Sequence, residues 1–331
     1  MNTEFTTTLV AGARKLIEDA QTIAISGHTS PDGDSLGSAL GLGLAIQSKF
    51  PEKQVSVLLA DDAACPRIYR FLPYSEHLTY ASRYEGDPDL FICVDAPSPA
   101  RIANSQLVLE RAKKVMVIDH HPSDVVFGDV TLRNTNAAAA SAIIARLLER
   151  LYPGIINPKI ATCLYTGLVT DTGRFQYQNA TPDAFAVAML LVNRGANPSQ
   201  VALHVYQSKR IEYMHLESIV LGNITVCDKG AIAYSFCTSE DLKSCGVKKD
   251  ECDGLIDLVR SVAGAKICMF LREDKPGVIR GNLRAKDHHN VADVARELGG
   301  GGHAAAAGFT FEGALDEAFN KTLPMLEALL A

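Results

Sequence analysis

The sequence has no excess of basic charge. Its 331 residues carry 32 Lys and Arg against 38 Asp and Glu, a formal net charge of -6 with a pI near 5.9. A long nucleic-acid groove needs a basic stripe, so long duplex nucleic acid is excluded as a partner, whereas a short anion held by a few arginines and metals is not. CxxC spacing is missing too: the eight cysteines, at 65, 93, 163, 227, 237, 245, 252 and 268, are scattered. Cys93, Cys163 and Cys268 sit inside apolar runs and read as small core residues. This excludes a disulfide framework and points to a reducing cytoplasm. No uncharged apolar run approaches the ~18 residues of a membrane span. The segment 1–20, with Glu4, Arg14, Lys15, Glu18 and Asp19, holds no apolar signal core. A cytoplasmic protein without a membrane partner is expected. Internal repeats and low-complexity linkers are also absent. What is present, 47% hydrophobic and 21% charged residues, suffices for one large or two ordinary globular domains.

Strand and helix patterns alternate through the first half. Helical spacing over 5–19 precedes an apolar strand at 22–27. A helix at 36–50, rich in Gly and Ala, follows and can lie close to a sheet. Strands at 54–60, 90–95 and 114–120 are separated by a short helix at 66–72 and a helix at 102–112. Helices at 137–151, 158–172 and 181–193 come next. The expectation is an α/β, doubly wound, mainly parallel sheet over 1–194. A helical linker over 195–222 would join it to a smaller α+β mixed-sheet domain over 223–331. That second domain would hold strands at 224–227, 231–237, 266–272 and 278–284 and helices at 254–262, 291–298 and 314–330.

Chemistry concentrates where apolar strands meet solvent, the position at which open α/β sheets bind ligands. Val115-Met116-Val117-Ile118 runs into Asp119-His120-His121. The strand at 22–27 runs into His28, Asp32 and Asp34, with Pro31 and Gly33 giving the bend. Leu90-Phe91-Ile92-Cys93-Val94 ends at Asp95, and an apolar helix delivers Asp171. Each motif has an ordinary reading: Asp34 or Ser35 as a helix cap, Asp95 as a turn former, Asp171 as a solvated helix end, and Asp119 to His121 as a polar loop. A carboxylate at a helix C-terminus is disfavoured by the dipole, which suggests a compensating cation beside Asp171. All four ordinary readings would have to hold at comparable positions. Oxygen and imidazole donors without thiolate suit Mn²⁺ or Mg²⁺, with Zn²⁺ or Co²⁺ as alternatives. Two such ions ~3.5–4 Å apart can clamp an in-line displacement at phosphorus and generate a hydroxide.

A second constellation runs from Arg280-Gly281-Asn282-Leu283-Arg284 to Gly299-Gly300-Gly301-Gly302-His303. The glycine amides can form an anion nest, Arg284 can take a phosphate in bidentate fashion, and His303 adds a donor. The ordinary alternative is a Gly-rich helix cap with a surface Arg. A second Asp-His-His, at Asp287-His288-His289, lies in a polar loop and is expected to be solvent-exposed. Asp61-Asp62 reads as a solvated turn.

Together these residues resemble the DHH phosphoesterase superfamily in the form carrying the DHHA1 C-terminal domain, in the NrnA-like branch of bifunctional oligoribonucleases and pAp phosphatases. The resemblance covers nearly the whole chain. It rests on the segments at 28–38, 94–101, 118–122 and 164–173, and on Gly299 to His303 followed by Ala307-Gly308-Phe309. It implies a catalytic DHH domain with two divalent ions, Mn²⁺ foremost. His28 and Asp32 would hold one ion, Asp34, His120 and Asp171 the other, and Asp95 would bridge both. Asp119 would orient its neighbours from outside the ligand set, and His121 would contact the scissile phosphate or the leaving oxygen. Arg284, His303, the amides of Gly300, Gly301 and Gly302, and Arg260 would grip a second phosphate. The implied substrates are short RNA and 3′-phosphoadenosine 5′-phosphate (pAp). Soluble diadenylate phosphodiesterases and RecJ-like single-strand exonucleases share these motifs, and a homodimer is compatible with the resemblance. Departures are Asn282 and Ala285 where the family often has Ser, Ala304 where it often has Lys or Arg, and Ala96-Pro97 where Thr or Ser is usual.

Overall fold

The computed structural model describes residues 5–330, the side chain at 253 excepted. The ends of the expected domains, 1–4 and 331, lie outside it. The chain forms two compact units that divide between Ser208 and Lys209.

The first unit runs α1 (Thr7–Asp19), β1 (Thr22–Ser26), α2 (Gly33–Lys49), β2 (Gln54–Leu59), β3 (Thr79–Tyr80), β4 (Leu90–Val94), α3 (Ser105–Arg111), β5 (Lys114–Asp119), β6 (Val130–Arg133), α4 (Ala140–Leu151), α5 (Pro158–Asp171), α6 (Pro182–Asn193) and α7 (Pro198–Tyr206). Among the described residues, the sheet has six strands in the order β3-β2-β1-β4-β5-β6, and every pairing is parallel. Chain direction across the sheet reverses between β1 and β4, the switch point where such sheets leave a crevice at their carboxyl ends. Strands buried on both faces need side chains apolar in both directions. Ile23, Ile25, Ile92, Met116 and Ile118 pack against the main helical layer. Ala24, Phe91, Cys93 and Val117 pack with Val108 of α3 on the other face.

Local chemistry sets the helix starts. Asn157, Thr181 and Asn197 each precede a proline, and each side chain accepts amides of the first turn of α5, α6 and α7. Proline loses nothing at the first helical position, and the cap satisfies donors that the helix leaves open. Helices α2 and α5 touch almost backbone to backbone. A Cβ at Gly37 would stand 2.3 Å from the Cys163 carbonyl oxygen, and one at Gly167 would stand 2.6 Å from Asp34 Oδ1.

The second unit runs α8 (Ile211–Gly222), β7 (Thr225–Cys227), β8 (Ile232–Cys237), α9 (Ser239–Cys245), α10 (Ile256–Arg260), β9 (Ile267–Lys275), β10 (Val278–Ala285), α11 (Val291–Glu297), β11 (Gly301–His303), β12 (Ala306–Glu312) and α12 (Leu315–Ala328). Its sheet order is β11-β12-β10-β9-β8-β7, with β8 and β9 parallel and the remaining pairs antiparallel.

Three sequence expectations change. The helix at 66–72 is a short 3-10 turn, Arg67–Tyr69. The helical stretch at 195–222 is two helices that do not stand apart: Val201 and Val205 of α7 join the core of the first unit, and Leu216 and Val220 of α8 join a core of the second. Gly301 to His303 form a strand rather than an open glycine loop, paired with Ala306 to Gly308.

Candidate active site

His28, Asp32, Asp34, Asp95, His120 and Asp171 converge at the carboxyl edge of the first sheet. Their positions follow from the loops that carry them. The β1–α2 loop is pinned by Asp61, whose Oδ2 accepts the Ser30 amide at 2.7 Å. Asp61, expected as a solvated turn residue, sits in a turn and accepts the Ala63 amide, and in addition ties this loop to Ser30. The helix cap is Asp32 rather than Asp34 or Ser35: its Oδ1 accepts the amides of both, at 3.0 Å each. The cap and a further role coexist in one carboxylate, since Asp32 Oδ1 also lies 3.7 Å from His28 Nε2. His28 Nδ1 lies 2.8 Å from the Thr29 carbonyl oxygen, so that nitrogen carries the proton and Nε2 turns toward the acids.

Asp95 leaves β4 in the left-handed region, φ 55°, with its amide donating to the Ile118 carbonyl at 2.9 Å. That conformation is strained for a residue with a Cβ. It directs a carboxylate, only 2% exposed, between two imidazoles. Oδ2 lies 3.4 Å from His28 Nε2, and Oδ1 lies 3.4 Å from His120 Nε2. Oδ1 is buried and has no aligned hydrogen-bond donor among the described residues. His120 Nε2 is also 3.7 Å from Asp171 Oδ2 and 4.0 Å from Asp34 Oδ2. His28, Asp32 and Asp95 form one group of donors within 4.8 Å of one another, and Asp34, Asp95 and His120 form a second. The two groups share Asp95. Hard oxygen and imidazole donors, with an orphaned buried oxygen at the shared residue, fit a pair of divalent cations.

The charges are mutually dependent. Burial opposes charge on His28, but Asp32 and Asp95 outweigh it and raise its pKa well above the ordinary value. His120 is likewise raised well above its usual range: burial works against it, and Asp171 and Asp95 prevail. Burial also opposes ionisation of Asp95, yet His120 and His28 hold it below the ordinary carboxylate range. Burial and then Asp95 push Asp34 up to about 6. Asp171 rises well above its usual value, mainly through burial, with His120 in opposition. Four carboxylates and two imidazoles in one cluster attract positive charge.

The remaining predicted residues of this unit, Asp119 and His121, lie beside the cluster. Asp119 is fully buried and its Oδ1 sits 2.9 Å from His121 Nδ1. His121 Nδ1 is 3.6 Å from Asp95 Oδ1. Sequence reasoning missed Arg133, whose Nε donates to Asp119 Oδ2 at 3.0 Å. It stands at the end of a strand that had not been recognised, where only the β5–β6 register brings it to Asp119.

In the second unit, Arg284 points from β10 with its Nε buried and without a hydrogen-bond partner among the described residues, as is Asn282 Nδ2 two residues earlier on the same face. Burial raises the Cys268 thiol, and the charges of Lys286, Arg260 and Arg284 oppose that rise. His303 ends β11. The Gly300 amide is spent on the Ala295 carbonyl at 2.7 Å, closing α11, so it is not a free anion donor. A Cβ at Gly300 would stand 2.1 Å from the Gly308 carbonyl oxygen, so this glycine serves close strand approach. Gly301 and Gly302 pair with β12. The second Asp-His-His is not uniformly exposed: His289 is buried, and its Nδ1 lies 2.6 Å from Asp287 Oδ1.

Comparison with known proteins gives the family of both units. Residues 22–168 match the DHH family, N-terminal domain, and residues 229–331 match the DHHA1 domain. The chain is 31% identical to the bifunctional oligoribonuclease and PAP phosphatase NrnA of Thermus thermophilus, covering 95% of this chain and 91% of that one. It is 29% identical to the Bacillus subtilis protein of the same description, over 87% and 88% of the two chains. The crystal structure of an exopolyphosphatase-related protein from Bacteroides fragilis superposes with a TM-score of 0.91 at 26% identity, covering 100% and 99%. No helix among the described residues is long and apolar enough to cross a membrane. Family membership brings the use of divalent metal ions, for which the acidic and histidine clusters provide donors. The chain belongs to the DHH family of phosphoesterases, in the form that couples a DHH domain to a DHHA1 domain.

Proposed function

We propose that this protein hydrolyses short oligoribonucleotides and pAp to mononucleotides, with the first unit, residues 1–194 and the helix after them, as catalytic domain. The observation that carries the reading is the Asp95 carboxylate, shared by two donor groups. His28, Asp32 and Asp95 would hold one cation. Asp34, His120, Asp171 and the same Asp95 would hold the other, and Mn²⁺ suits this mixed donor set. When bound, such a pair supplies Lewis acidity and a water of lowered pKa.

The chain's own residues do the rest. With its proton on Nδ1 toward Asp119, His121 presents Nε2 to the substrate, where it would contact the scissile phosphate or the leaving oxygen. Asp34, Asp95 and Asp171 repel a phosphate when uncompensated, so productive binding requires the cations. To the second unit we assign the grip on a phosphate that is not cleaved. Arg284 and Arg260 supply charge-assisted donors there, joined by His303 and the Gly301 and Gly302 backbone. The net charge of -6 supports short substrates over polymers. Eight unbridged thiols support a reducing, cytoplasmic setting.

The test is an Mn²⁺-dependent hydrolysis panel: RNA dimer, a long RNA oligomer, pAp, linear and cyclic diadenylate, and pyrophosphate, with Asp95→Asn as control. Fast turnover of dimer and pAp with slow turnover of the oligomer is expected. Preference for the long oligomer would make the protein a processive exonuclease. Preference for diadenylates would move it to dinucleotide second messengers.

A further inference from the structure

We propose that Arg133 is a positioning residue that sets the tautomer and orientation of His121 through Asp119. The inference rests on the reading of His121 as the imidazole that faces substrate.

Asp119 and Arg133 are neighbours in the parallel register of β5 and β6. Asp119 has no exposed surface, so both of its oxygens need partners from the protein. Oδ1 accepts the His121 amide at 3.2 Å and faces the His121 ring nitrogen Nδ1 at 2.9 Å. Oδ2 accepts Arg133 Nε at 3.0 Å. The two oxygens are thereby distinguished, and the carboxylate cannot rotate without breaking one set.

The other side of the guanidinium is anchored as firmly. Its Nη1 donates to the carbonyls of Ser123 at 2.8 Å and Val125 at 3.0 Å. Its Nη2 donates to the Pro97 carbonyl at 3.3 Å, and Ser123 Oγ reaches the same carbonyl at 2.9 Å. One planar fork therefore joins Asp119, the loop after His121 and the loop after Asp95. A lysine ammonium would keep the charge but could not span these directions at once. With Arg133 in place, the Nδ1 proton of His121 is held by an oriented carboxylate, which fixes the plane and tautomer of the ring. Without it, Asp119 keeps a buried charge on one side only. The carboxylate is then free to turn, and the imidazole loses its fixed orientation and tautomer.

A double-mutant cycle tests this on the full chain. Steady-state hydrolysis of pAp is measured for Arg133→Met, Arg133→Lys, His121→Asn and the Arg133→Met/His121→Asn double variant. In parallel, ¹⁵N NMR of the chelator-treated protein reads the His121 ring nitrogens. The expectation is that Arg133→Met lowers kcat about 100-fold with KM within about threefold, the scale of a misplaced acid–base group. In the His121→Asn background the same change should cost less than about threefold. The signature of a protonated Nδ1 and a bare Nε2 should be replaced by a tautomer mixture in Arg133→Met. Equal losses in both backgrounds, or an unchanged His121 signature, would overturn the proposal, since a purely structural role predicts both. Should Arg133→Met fail to fold, Arg133→Lys carries the test, with an intermediate loss of kcat and the same non-additivity expected. If His121→Asn alone retains full activity, the reading of His121 falls, while the NMR signature still judges Arg133.

Discussion

Asp34 Oδ2, in the first turn of α2, accepts the Ala140 amide at the start of α4 at 2.6 Å. Asp34 Oδ1 takes the next amide, from Ser141, at 3.0 Å. A candidate metal ligand is thus also the N-terminal cap of a helix distant in sequence, and the helix dipole favours its negative charge. Asp34→Ala would strand two buried amides. It should destabilise the fold by about 2–4 kcal/mol, whereas Asp34→Asn should cost less and still lose divalent-ion affinity. Urea unfolding in the presence of chelator separates the two. Equal stability of Asp34→Ala and the parent would contradict the capping role.

Asp95→Asn removes one charge from both donor groups at once. Turnover should fall by at least about 10³-fold, and calorimetric titration with Mn²⁺ should show loss of both binding events rather than one. Asp32→Asn should weaken one event more than the other, because Asp32 belongs to a single group.

The pH dependence of metal affinity follows from Asp34. Its carboxyl is pushed up to about 6, so after chelation the folded chain keeps that proton at pH 5 and has lost most of it by pH 7. A cation must displace the proton, so affinity rises with pH through this window. Asp34 alone makes binding about tenfold weaker at pH 5 than at pH 7. His28 and His120, both raised, act in the same direction. Calorimetry in two buffers of different ionisation enthalpy would count the released protons. Flat affinity from pH 5 to 7 would show that Asp34 is ionised throughout.

The close approach of α2 and α5 predicts a stability effect without chemistry. Gly37→Ala would drive a Cβ to within 2.3 Å of a backbone oxygen that cannot swing away. A loss of about 1–3 kcal/mol is expected on thermal unfolding. Gly222→Ala, with nothing within 4 Å, should change stability by less than about 0.5 kcal/mol.

Arg284→Met should raise KM for pAp by about 10- to 100-fold with kcat nearly kept, as expected for a residue that binds substrate and transition state alike. A fall in kcat at constant KM would instead place Arg284 at the reacting phosphate.

Much of the fold was legible because its causes are local. Parallel strands buried on both faces leave continuous apolar runs such as Thr22-Ile23-Ala24-Ile25, and caps such as Asn157-Pro158 mark helix starts. The donor residues were legible for the same reason, each lying directly after an apolar element. Non-local matters were not. Arg133 reaches Asp119 only through strand register, Asp61 holds Ser30 across the sheet edge, and Asp34 meets Ser141 of α4 where Gly167 of α5 has no Cβ to stand between them. Gly300 shows the reverse: its type was conspicuous, but its amide is consumed by Ala295 and its missing Cβ makes room for β12. The sequence by itself determined which residues could bind metal and phosphate, because donor chemistry is a property of side chains. Only the tertiary structure decided that Asp95 is shared, that Asp34 is also a cap and that Arg133 holds Asp119, because distance between remote residues is a property of packing.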